Sequence, residues 1–344
     1  MTLIGRRREQ DILTQLYTSD KAEFLVVYGR RRVGKTHLIK TFFHEIFTFY
    51  VTGTAGESRN AYKTQLNHFA EALADYGHRE KPQLENWQEA FRHLCELIEN
   101  APKGKKVIFI DEMPWLDTPR SKFISALEYF WNSFASSRGD VLLIACGSAA
   151  SWMTKKILQN RGGLHNRVTM RMQIAPFTLS ECEQYHASNG IVMNRYQMLE
   201  AYMILGGIPY YLSLLNPRMS LAENIDNLFF VQGALLEGEY TALYRSLFKE
   251  AGAHMEIIAA LAAKKKGLTR KAIEKAARLS DGGGLTRILS ELELSGFIRK
   301  YRAFAKKEKG VIYQLIDPYS LFRFTFIDDN NDPHFWQKYS ITSG

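Results

Sequence analysis

Residues 29–36 constrain this chain more than any other feature of its sequence. They read GRRRVGKT and match the G-x-x-x-x-G-K-[S/T] pattern of a phosphate-binding loop. The apolar, β-branched run 24–28 (FLVVY) before them is typical of a strand buried in a parallel sheet, and residues 37–43 continue as a helix. A strand, a glycine-rich loop and a helix in this order predict a site for nucleotide phosphates. An ordinary glycine-rich turn before a helix is the alternative for the pattern taken alone.

The loop residues have distinct predicted parts in binding ATP or ADP. Gly29 and Gly34 permit a backbone geometry that turns amide N–H groups inward around phosphate. Lys35 is expected to contact the β- and γ-phosphates during catalysis, and Thr36 to offer its hydroxyl to Mg²⁺. The other predicted nucleotide contacts are the middle of the loop and the next helical residue, namely Arg30, Arg31, Arg32, Val33 and His37.

A second apolar strand is predicted to end in a pair of carboxylates. Residues 106–110 (KVIFI) are followed directly by Asp111 and Glu112. The carboxyl ends of parallel strands form the ligand-binding edge of a sheet, so Asp111 is expected to hold Mg²⁺ and Glu112 to polarise the attacking water. The alternative is a polar loop that merely follows a strand.

A third buried strand is predicted at 141–146 (VLLIAC), after a helix at 123–134 that supplies a right-handed crossover. Ser148 follows this strand. Its hydroxyl either bonds the γ-phosphate or the attacking water, as a catalytic group, or caps a helix over 149–158. The sequence leaves both interpretations open.

Length and composition predict a globular protein of more than one domain. The chain has 344 residues, of which 46% are apolar, whereas a single domain typically has about 100 to 200 residues. We find neither a secretory leader nor an apolar run of roughly 20 residues that could span a bilayer. A cytoplasmic location without membrane contact is therefore expected.

The charge of the chain favours an anionic partner. The formal net charge is +9, and clustered basic side chains attract phosphates and release counterions from nucleic acid. Solvated surface patches are the alternative interpretation. The clusters lie at 6–8, 30–32, 103–106, 264–266 and 306–309.

These motifs and their surroundings together resemble the AAA+-related archaeal-type ATPases of the STAND group, which typically carry a G-R-R-R-x-G-K-T loop. The N-terminal box of that group appears as Ile4-Gly5-Arg6-Arg7-Arg8-Glu9. The resemblance implies that Gly5 lies near the adenine.

Two further segments carry the resemblance. Asn166-Arg167 and the following PFTLSE segment at 176–181 are similar to the basic residue and the P-F-[S/T]-x-x-E segment of the group. This implies that Arg167 approaches the γ-phosphate as a catalytic residue, although a surface salt bridge is the alternative. The GGIPY segment at 206–210 matches a lid element, which implies that Pro209 lies close to the nucleotide; a helix-breaking turn is the alternative.

The resemblance implies an α/β fold: a P-loop NTPase (AAA+-like) parallel sheet core, followed by an α-helical lid and a winged-helix domain. The expected boundaries are 1–183 for the core, 184–245 for the lid, 246–330 for the winged helix and 331–344 for a C-terminal tail. Members of the group often continue into a nuclease-like domain, for which the aromatic segment at 319–326 leaves too few residues. We expect that activity to be absent or to reside in another chain.

The winged-helix expectation also follows from the order of predicted elements. Its helices and strands are predicted at 255–263, 270–279 with Thr269 as cap, 285–295, 299–304 and 311–316, with a basic turn at 306–310 as the wing. If the domain binds DNA, Arg287 on the third helix enters the major groove. Glu291 and Glu293 on the same helix would repel phosphate, so a protein partner is the competing expectation.

The sequence thus predicts a Mg²⁺-dependent ATPase that acts as a nucleotide-dependent switch, with Arg30, Arg31 and Arg32 also facing the output domain. Self-association is expected from the class alone. The main alternative is a non-catalytic, nucleotide-dependent DNA-binding or scaffold protein. A small-molecule phosphotransferase is disfavoured, because the lid segment carries Gly-Gly-Ile-Pro and leads to a winged helix.

Overall fold

The computed structural model describes residues 3–44, 46–55, 60–77, 80–159, 162–248, 250–302, 310–328, 330 and 332–342. The chain forms two compact units. The first comprises the residues up to Gly29 together with Gly34–Ile174, and the second comprises Arg30–Val33 together with the residues from Ala175 onward. The middle of the phosphate loop therefore belongs to the second unit. Within the described ranges, no helix has both the length and the apolar character needed to cross a bilayer.

The first unit is built on a parallel five-stranded sheet with the order β2-β3-β4-β1-β5, counted over the described residues. The strands are β1 Glu23–Tyr28, β2 Phe47–Thr52, β3 Lys106–Asp111, β4 Val141–Gly147 and β5 Met170–Gln173. All residues of β3 and β4 are buried, as expected for central strands of a parallel sheet. The predicted strands at 24–28, 106–110 and 141–146 are confirmed, and with them the α/β fold class.

Helices of the first unit pack their apolar residues against this sheet. Phe24 on β1 packs on Trp131 with ring centroids 4.9 Å apart, and Phe49 on β2 packs on Phe69 at 4.8 Å. The helices are α1 Arg7–Thr18, α2 Lys35–Phe43, α3 Ala61–Asp75, α4 Trp87–Asn100, α5 Phe123–Ser133 and α6 Ala150–Trp152, which continues as a π-helix, Met153–Leu158. Short 3-10 helices lie at Met113–Trp115 and Ala135–Ser137.

The parallel arrangement brings the predicted motifs to one edge of the sheet. Tyr28 at the end of β1 is in register with Gly147 at the end of β4, and Ile110 on β3 is in register with Ala145. The phosphate loop follows β1, Ser148 follows β4, and the carboxylate pair comprises the last residue of β3 and the residue after it. The fold therefore gathers residues from three distant stretches of sequence at the carboxyl edge, where ligands of open α/β sheets bind.

The second unit is mainly helical. Three of its helices begin with capping boxes, in which an N-cap side chain and the residue three positions later satisfy each other's backbone N–H groups. Its helices are α7 Leu179–Ser188, α8 Arg195–Leu205, α9 Pro209–Leu212, α10 Leu221–Phe229, α11 Glu239–Leu247, α12 Ala251–Ala262, α13 Arg270–Ala276, α14 Gly283–Leu294, α15 Pro318–Phe322, continued by a π-helix at Arg323–Ile327, and α16 Phe335–Thr342.

The second unit also contains a small antiparallel sheet of order β6-β8-β7. Its strands are β6 Leu268–Thr269, β7 Ile298–Arg302 and β8 Val311–Leu315. The three predicted helices and two predicted strands of this region are present, and the Thr269 hydroxyl caps α13 by accepting from Ala272 N. The predicted basic turn at 306–310 lies outside the described residues except for Gly310.

The extent of the first unit differs from the expected core both at loop residues 30–33 and at its C-terminal end. The first unit ends at Ile174 rather than 183, because Phe177 N donates to Gly207 O (2.8 Å) and so ties the start of α7 to the lid segment. Gly207 has a φ of 64°, and a Cβ there would lie 2.3 Å from Phe177 O, so the segment requires glycine. At the chain end, the expected tail contains α16, whose Trp336 is buried and bonded to Asp226 (2.7 Å).

Candidate nucleotide site

The phosphate loop curves around its own lysine. Lys35 is 4% exposed, and its Nζ donates to Gly29 O (3.1 Å) at the other end of the loop. Positive φ angles at Gly29 (150°), Arg32 (70°) and Gly34 (87°) produce this curvature. A Cβ at Gly29 would lie 2.4 Å from Ile174 O, so the first glycine is needed for space as well as for its backbone angle. The N-terminus of α2 follows, and its exposed N–H groups favour an anion.

Two oxygen-bearing side chains meet at the start of α2. Thr36 Oγ1 donates to Asp111 Oδ2 (2.7 Å), and Glu112 N donates to Asp111 Oδ1 (2.9 Å). Hard oxygen ligands of this kind fit Mg²⁺, which keeps most of its positions for water and phosphate oxygens. No group of three or more His, Cys, Asp or Glu side chains that could hold a metal occurs in the described part of the chain. The hydroxyl of Thr36 and the carboxylate of Asp111 fit an ion that takes its other ligands from water and phosphate.

Cys146 follows Ala145, which is in register with Ile110, so it lies beside Asp111 on the neighbouring strand; the motifs did not point to it. Burial, reinforced by the charge of Asp111, raises the pKa of the Cys146 thiol well above its ordinary value. The thiol therefore stays protonated and hydrogen-bonds to Asp111. Its place at the end of an all-apolar strand, beside a predicted metal carboxylate, was the only sequence signal of this role.

A hydrogen-bonded chain joins three of the predicted catalytic residues. Lys35 Nζ donates to Ser148 Oγ (2.9 Å), which in turn donates to Glu112 Oε1 (2.5 Å). Glu112 adopts a left-handed backbone (φ 44°) at the end of β3, a conformation that costs energy in a non-glycine residue and is common at functional sites. Ser148 therefore lies between Lys35 and Glu112. It does not cap the following helix, whose N-cap is Ala149, without a side-chain hydrogen bond.

Glycines next to the strand ends make room for these turns. A Cβ at Gly53, just after β2, would lie 2.5 Å from Glu112 O. A Cβ at Gly147 would lie 2.8 Å from both Pro114 Cδ and Met153 Sδ. Sequence reasoning missed both positions, because neither belongs to a motif and their need arises only from tertiary packing.

Three other predicted site residues, His37, Gly5 and Arg167, lie outside the phosphate loop. His37 is exposed on α2, and Gly5 forms a tight turn (φ 62°) whose carbonyl accepts from Gln10 Nε2 (2.7 Å). Arg167 is exposed and precedes β5, where Thr169 N donates to Phe24 O (3.0 Å).

The position of Arg167 contradicts its predicted approach to the γ-phosphate of the nucleotide in its own chain. Phe24 lies four residues before the end of β1, which is about 13 Å at roughly 3.3 Å per residue. Arg167 therefore lies toward the amino edge of the sheet, opposite the phosphate loop. The motif resemblance could not reveal this, because the register of β5 against β1 fixes the position.

Two of the four middle loop residues form ion pairs within the second unit. Arg30 pairs with Asp317, and Arg32 Nη1 lies 2.7 Å from Glu239 Oε2. Val33 is buried and Arg31 is half-buried. The guanidinium groups of Arg30 and Arg32 are thus engaged by carboxylates. Their remaining route to a phosphate is through backbone N–H groups.

The lid segment contacts the same loop. Tyr210 N donates to Arg32 O (3.4 Å), and Pro209, the first residue of α9, immediately precedes it. The Tyr210 ring lies 4.0 Å from Arg32 Cζ. The GGIPY segment therefore adjoins Arg32, and the turn through Gly206 and Gly207 precedes it.

Solved structures share this fold. A Walker-type ATPase of Pyrococcus abyssi superimposes with a TM-score of 0.63 at 16% identity, over 94% of this chain and 96% of that one. The ORC2 protein of Aeropyrum pernix, solved as ADPNP–ADP complexes, gives a TM-score of 0.57 at 16% identity, over 98% of this chain and 95% of that one.

Sequence relatives agree with the structural likeness. An uncharacterized protein of Methanocaldococcus jannaschii is 25% identical over 263 residues, which is 75% of this chain, and the chain spans 54% of that relative's length. An uncharacterized ATP-binding protein of the same organism is 46% identical over 39 residues, which is 11% of this chain and 66% of that protein. The family of ATPase domains found predominantly in Archaea matches residues 3–215. With its phosphate loop, carboxylate pair and parallel sheet, the chain belongs to this family of P-loop ATPases.

Proposed function

We propose that the protein is a Mg²⁺-dependent ATPase of the AAA+/STAND type, in which ATP binding and hydrolysis switch a C-terminal winged-helix output. The observation that carries this proposal is the chain from Lys35 through Ser148 to Glu112, beside the Thr36–Asp111 pair. A cation, two metal-binding oxygens and a base-like carboxylate lie together at one sheet edge. This is the set of groups that phosphoryl transfer to water requires.

In this proposal the loop binds the phosphates and the strand ends supply the catalytic groups. Lys35 turns its ammonium from Gly29 O and Ser148 Oγ to the β- and γ-phosphate oxygens. Thr36 and Asp111 are the residues that would hold Mg²⁺, Asp111 through water. When bound, the ion neutralises charge that develops on the phosphate oxygens.

Glu112 acts as the base. Its carboxylate takes a proton from a water molecule, whose oxygen bonds to the γ-phosphorus while the bond to the β–γ bridging oxygen breaks. ADP leaves with the bridging oxygen. Ser148 holds Glu112 in place through the hydrogen bond from its hydroxyl, and it transmits the displacement of Lys35 to the base when phosphate enters.

Removal of Mg²⁺ with EDTA is expected to abolish phosphate release, and Mg²⁺ added back should restore it. Thr36→Val removes the hydroxyl at nearly constant volume, and we expect the Mg²⁺ concentration for half-maximal turnover to rise about 10- to 100-fold. Thr36→Ser keeps the hydroxyl and is the matched control. A Thr36→Val variant with the wild-type Mg²⁺ requirement would contradict the assignment.

The output part of the proposal rests on the order helix, strand, helix, helix, strand, strand from α12 to β8. This is the element order of a winged helix. Switch proteins commonly respond to a nucleotide by ordering a segment or by moving a domain, and we propose such a response for this domain. Turnover measured against protein concentration tests whether self-association is needed; a rate per chain that rises with concentration would support it.

A second candidate function, nucleotide-dependent DNA binding without turnover, is favoured by the exposed face of β7. Arg299, Lys300 and Arg302 are exposed on this strand. α14, by contrast, has the sequence GGLTRILSELEL, in which Arg287 is the one basic residue and Glu291 and Glu293 are acidic. Any DNA contact is therefore proposed for the strand rather than for the predicted recognition helix.

Duplex DNA binding of an Arg299→Gln/Arg302→Gln double variant tests this candidate. If both arginines contact phosphates, the slope of log K against log salt should fall in magnitude by about two. Arg287→Gln is the matched control and should leave the slope unchanged. A larger loss with Arg287→Gln would assign DNA reading to α14 instead, and no binding by the wild-type protein would favour a protein partner.

A further inference from the structure

Two arginines of the phosphate loop are anchored by carboxylates that belong to no motif. Arg30 is 6% exposed, and its guanidinium contacts Asp317, which is 1% exposed. The same guanidinium lies over the Phe297 ring, 4.5 Å from its centroid. Burial opposes the charge of Arg30, but Asp317 outweighs this effect and holds the pKa of the guanidinium above its ordinary value. The pair therefore remains an ion pair inside the second unit.

Asp317 is itself held in place. It is the N-cap of α15, and its Oδ2 accepts from Ser320 N (2.9 Å) and from Ser320 Oγ (2.5 Å). The other oxygen, Oδ1, accepts from Arg30. Asp317 thus joins the phosphate loop to the start of a helix, and α15 cannot shift without disturbing either its own cap or Arg30.

Arg32 is anchored in the same way two residues further along. Its Nη1 lies 2.7 Å from Glu239 Oε2, and Glu239 is 3% exposed. The other oxygen of Glu239 accepts from Tyr211 OH (2.8 Å). Arg32 also stacks on Tyr210 and accepts from its backbone N–H, so both its side chain and its main chain are fixed.

These anchors act on the part of the loop that must be curved. Arg32 has a φ of 70°, and glycines 29 and 34, which tolerate many backbone conformations, flank the anchored stretch. A loop of this composition loses much conformational freedom when it wraps a phosphate, and pre-ordering it lowers that cost. A buried ion pair adds little to the stability of the fold, because the cost of desolvating the two charges offsets their attraction. Here the two pairs instead favour one conformation of the loop over others.

We propose that Asp317 and Glu239 are positioning residues of the ATPase: through Arg30 and Arg32 they hold the phosphate loop in the curved form that receives nucleotide phosphates. The proposal rests on the nucleotide site proposed above. Both carboxylates lie at the starts of helices of the second unit, α15 and α11. Nucleotide affinity is therefore coupled to the position of these helices, and by reciprocity nucleotide binding stabilises that position.

The test is ADP binding by calorimetry, together with the steady-state kinetics of ATP hydrolysis, for Asp317→Asn and Glu239→Gln. Asparagine keeps an oxygen for the α15 cap and removes the charge that holds Arg30. We expect each variant to raise the Kd for ADP and the KM for ATP by about 5- to 150-fold, the usual range for such coupling, with kcat changed much less. Loss of pre-ordering weakens ground-state and transition-state binding alike.

Matched controls exist in the same unit. Asp281 and Glu250 are exposed partners of Arg270 and Arg287, so Asp281→Asn and Glu250→Gln remove carboxylate charges that are paired with arginines outside the loop. Both should bind ADP as the wild type does. A further variant, Arg30→Gln combined with Asp317→Asn, should bind ADP no more weakly than the weaker single variant, because both changes break one link.

The proposal is overturned if Asp317→Asn and Glu239→Gln lower the melting temperature but leave the Kd for ADP and the KM for ATP unchanged. Such a result would give both residues a purely structural role. If Asp317→Asn does not fold, the Glu239→Gln result decides, because Arg32 is 22% exposed and its pair is less buried. Failure of the wild-type protein to bind ADP would instead refute the nucleotide site itself.

Discussion

Replacing Glu112 with glutamine is expected to lower kcat for ATP hydrolysis by about 10²- to 10⁴-fold, the usual contribution of a positioned base. Glutamine has nearly the same shape, and its amide oxygen can still accept from Ser148 Oγ, which lies 2.5 Å from Glu112 Oε1. It cannot take a proton from water. The phosphate loop and the Thr36–Asp111 pair are unchanged, so ATP and ADP should bind as they do to the wild type.

Phosphate release and ADP binding, measured on the same preparation, check this prediction. Glu99→Gln is the matched control, since Glu99 is exposed on α4 of the same unit. Full turnover by Glu112→Gln would remove Glu112 as the base. A parallel loss of binding and turnover would show that Glu112 supports the loop rather than the chemical step.

The central strands and the phosphate loop could be predicted from the sequence because their signals are local. A run such as VLLIAC can be buried on both faces wherever it lies in the sheet, and GRRRVGKT carries its glycines and lysine in one segment. The strand Phe47–Thr52 (FTFYVT) carries a comparable local signal in its aromatic and β-branched residues. It was missed because no motif follows it.

The remaining features depend on contacts between distant residues. Asp317 lies 287 positions from Arg30 in sequence, and nothing near it marks it as a partner of the phosphate loop. The two interpretations of Ser148 were separated only by the positions of Lys35 and Glu112. Arg167 fits its motif, yet the pairing of β5 with β1 places it at the other edge of the sheet. Local patterns therefore predicted the elements, and tertiary pairing decided which side chains act together.

Replacing Lys35 with alanine is expected to reduce kcat/KM for ATP by about 10²- to 10³-fold, as for loss of one charge-stabilising donor in other enzymes. Its Nζ lies 3.1 Å from Gly29 O and 2.9 Å from Ser148 Oγ. In the proposed mechanism this ammonium gives the phosphates their main stabilisation by a positive charge of the protein. Because the contact exists in the bound state as well as in the transition state, ATP affinity should fall together with turnover. Glu112→Gln differs in this respect, since it should spare binding.

Two further substitutions separate the charge of Lys35 from its packing. Lys35→Met keeps most of the buried stem and loses only the ammonium, so it should match Lys35→Ala in nucleotide affinity and turnover while melting at a higher temperature. Lys63→Ala, at an exposed position on α3 of the same unit, is the control and should behave as the wild type. Wild-type ATP affinity and turnover in Lys35→Met would contradict the assignment, because the ammonium is the only group that this substitution removes from the loop.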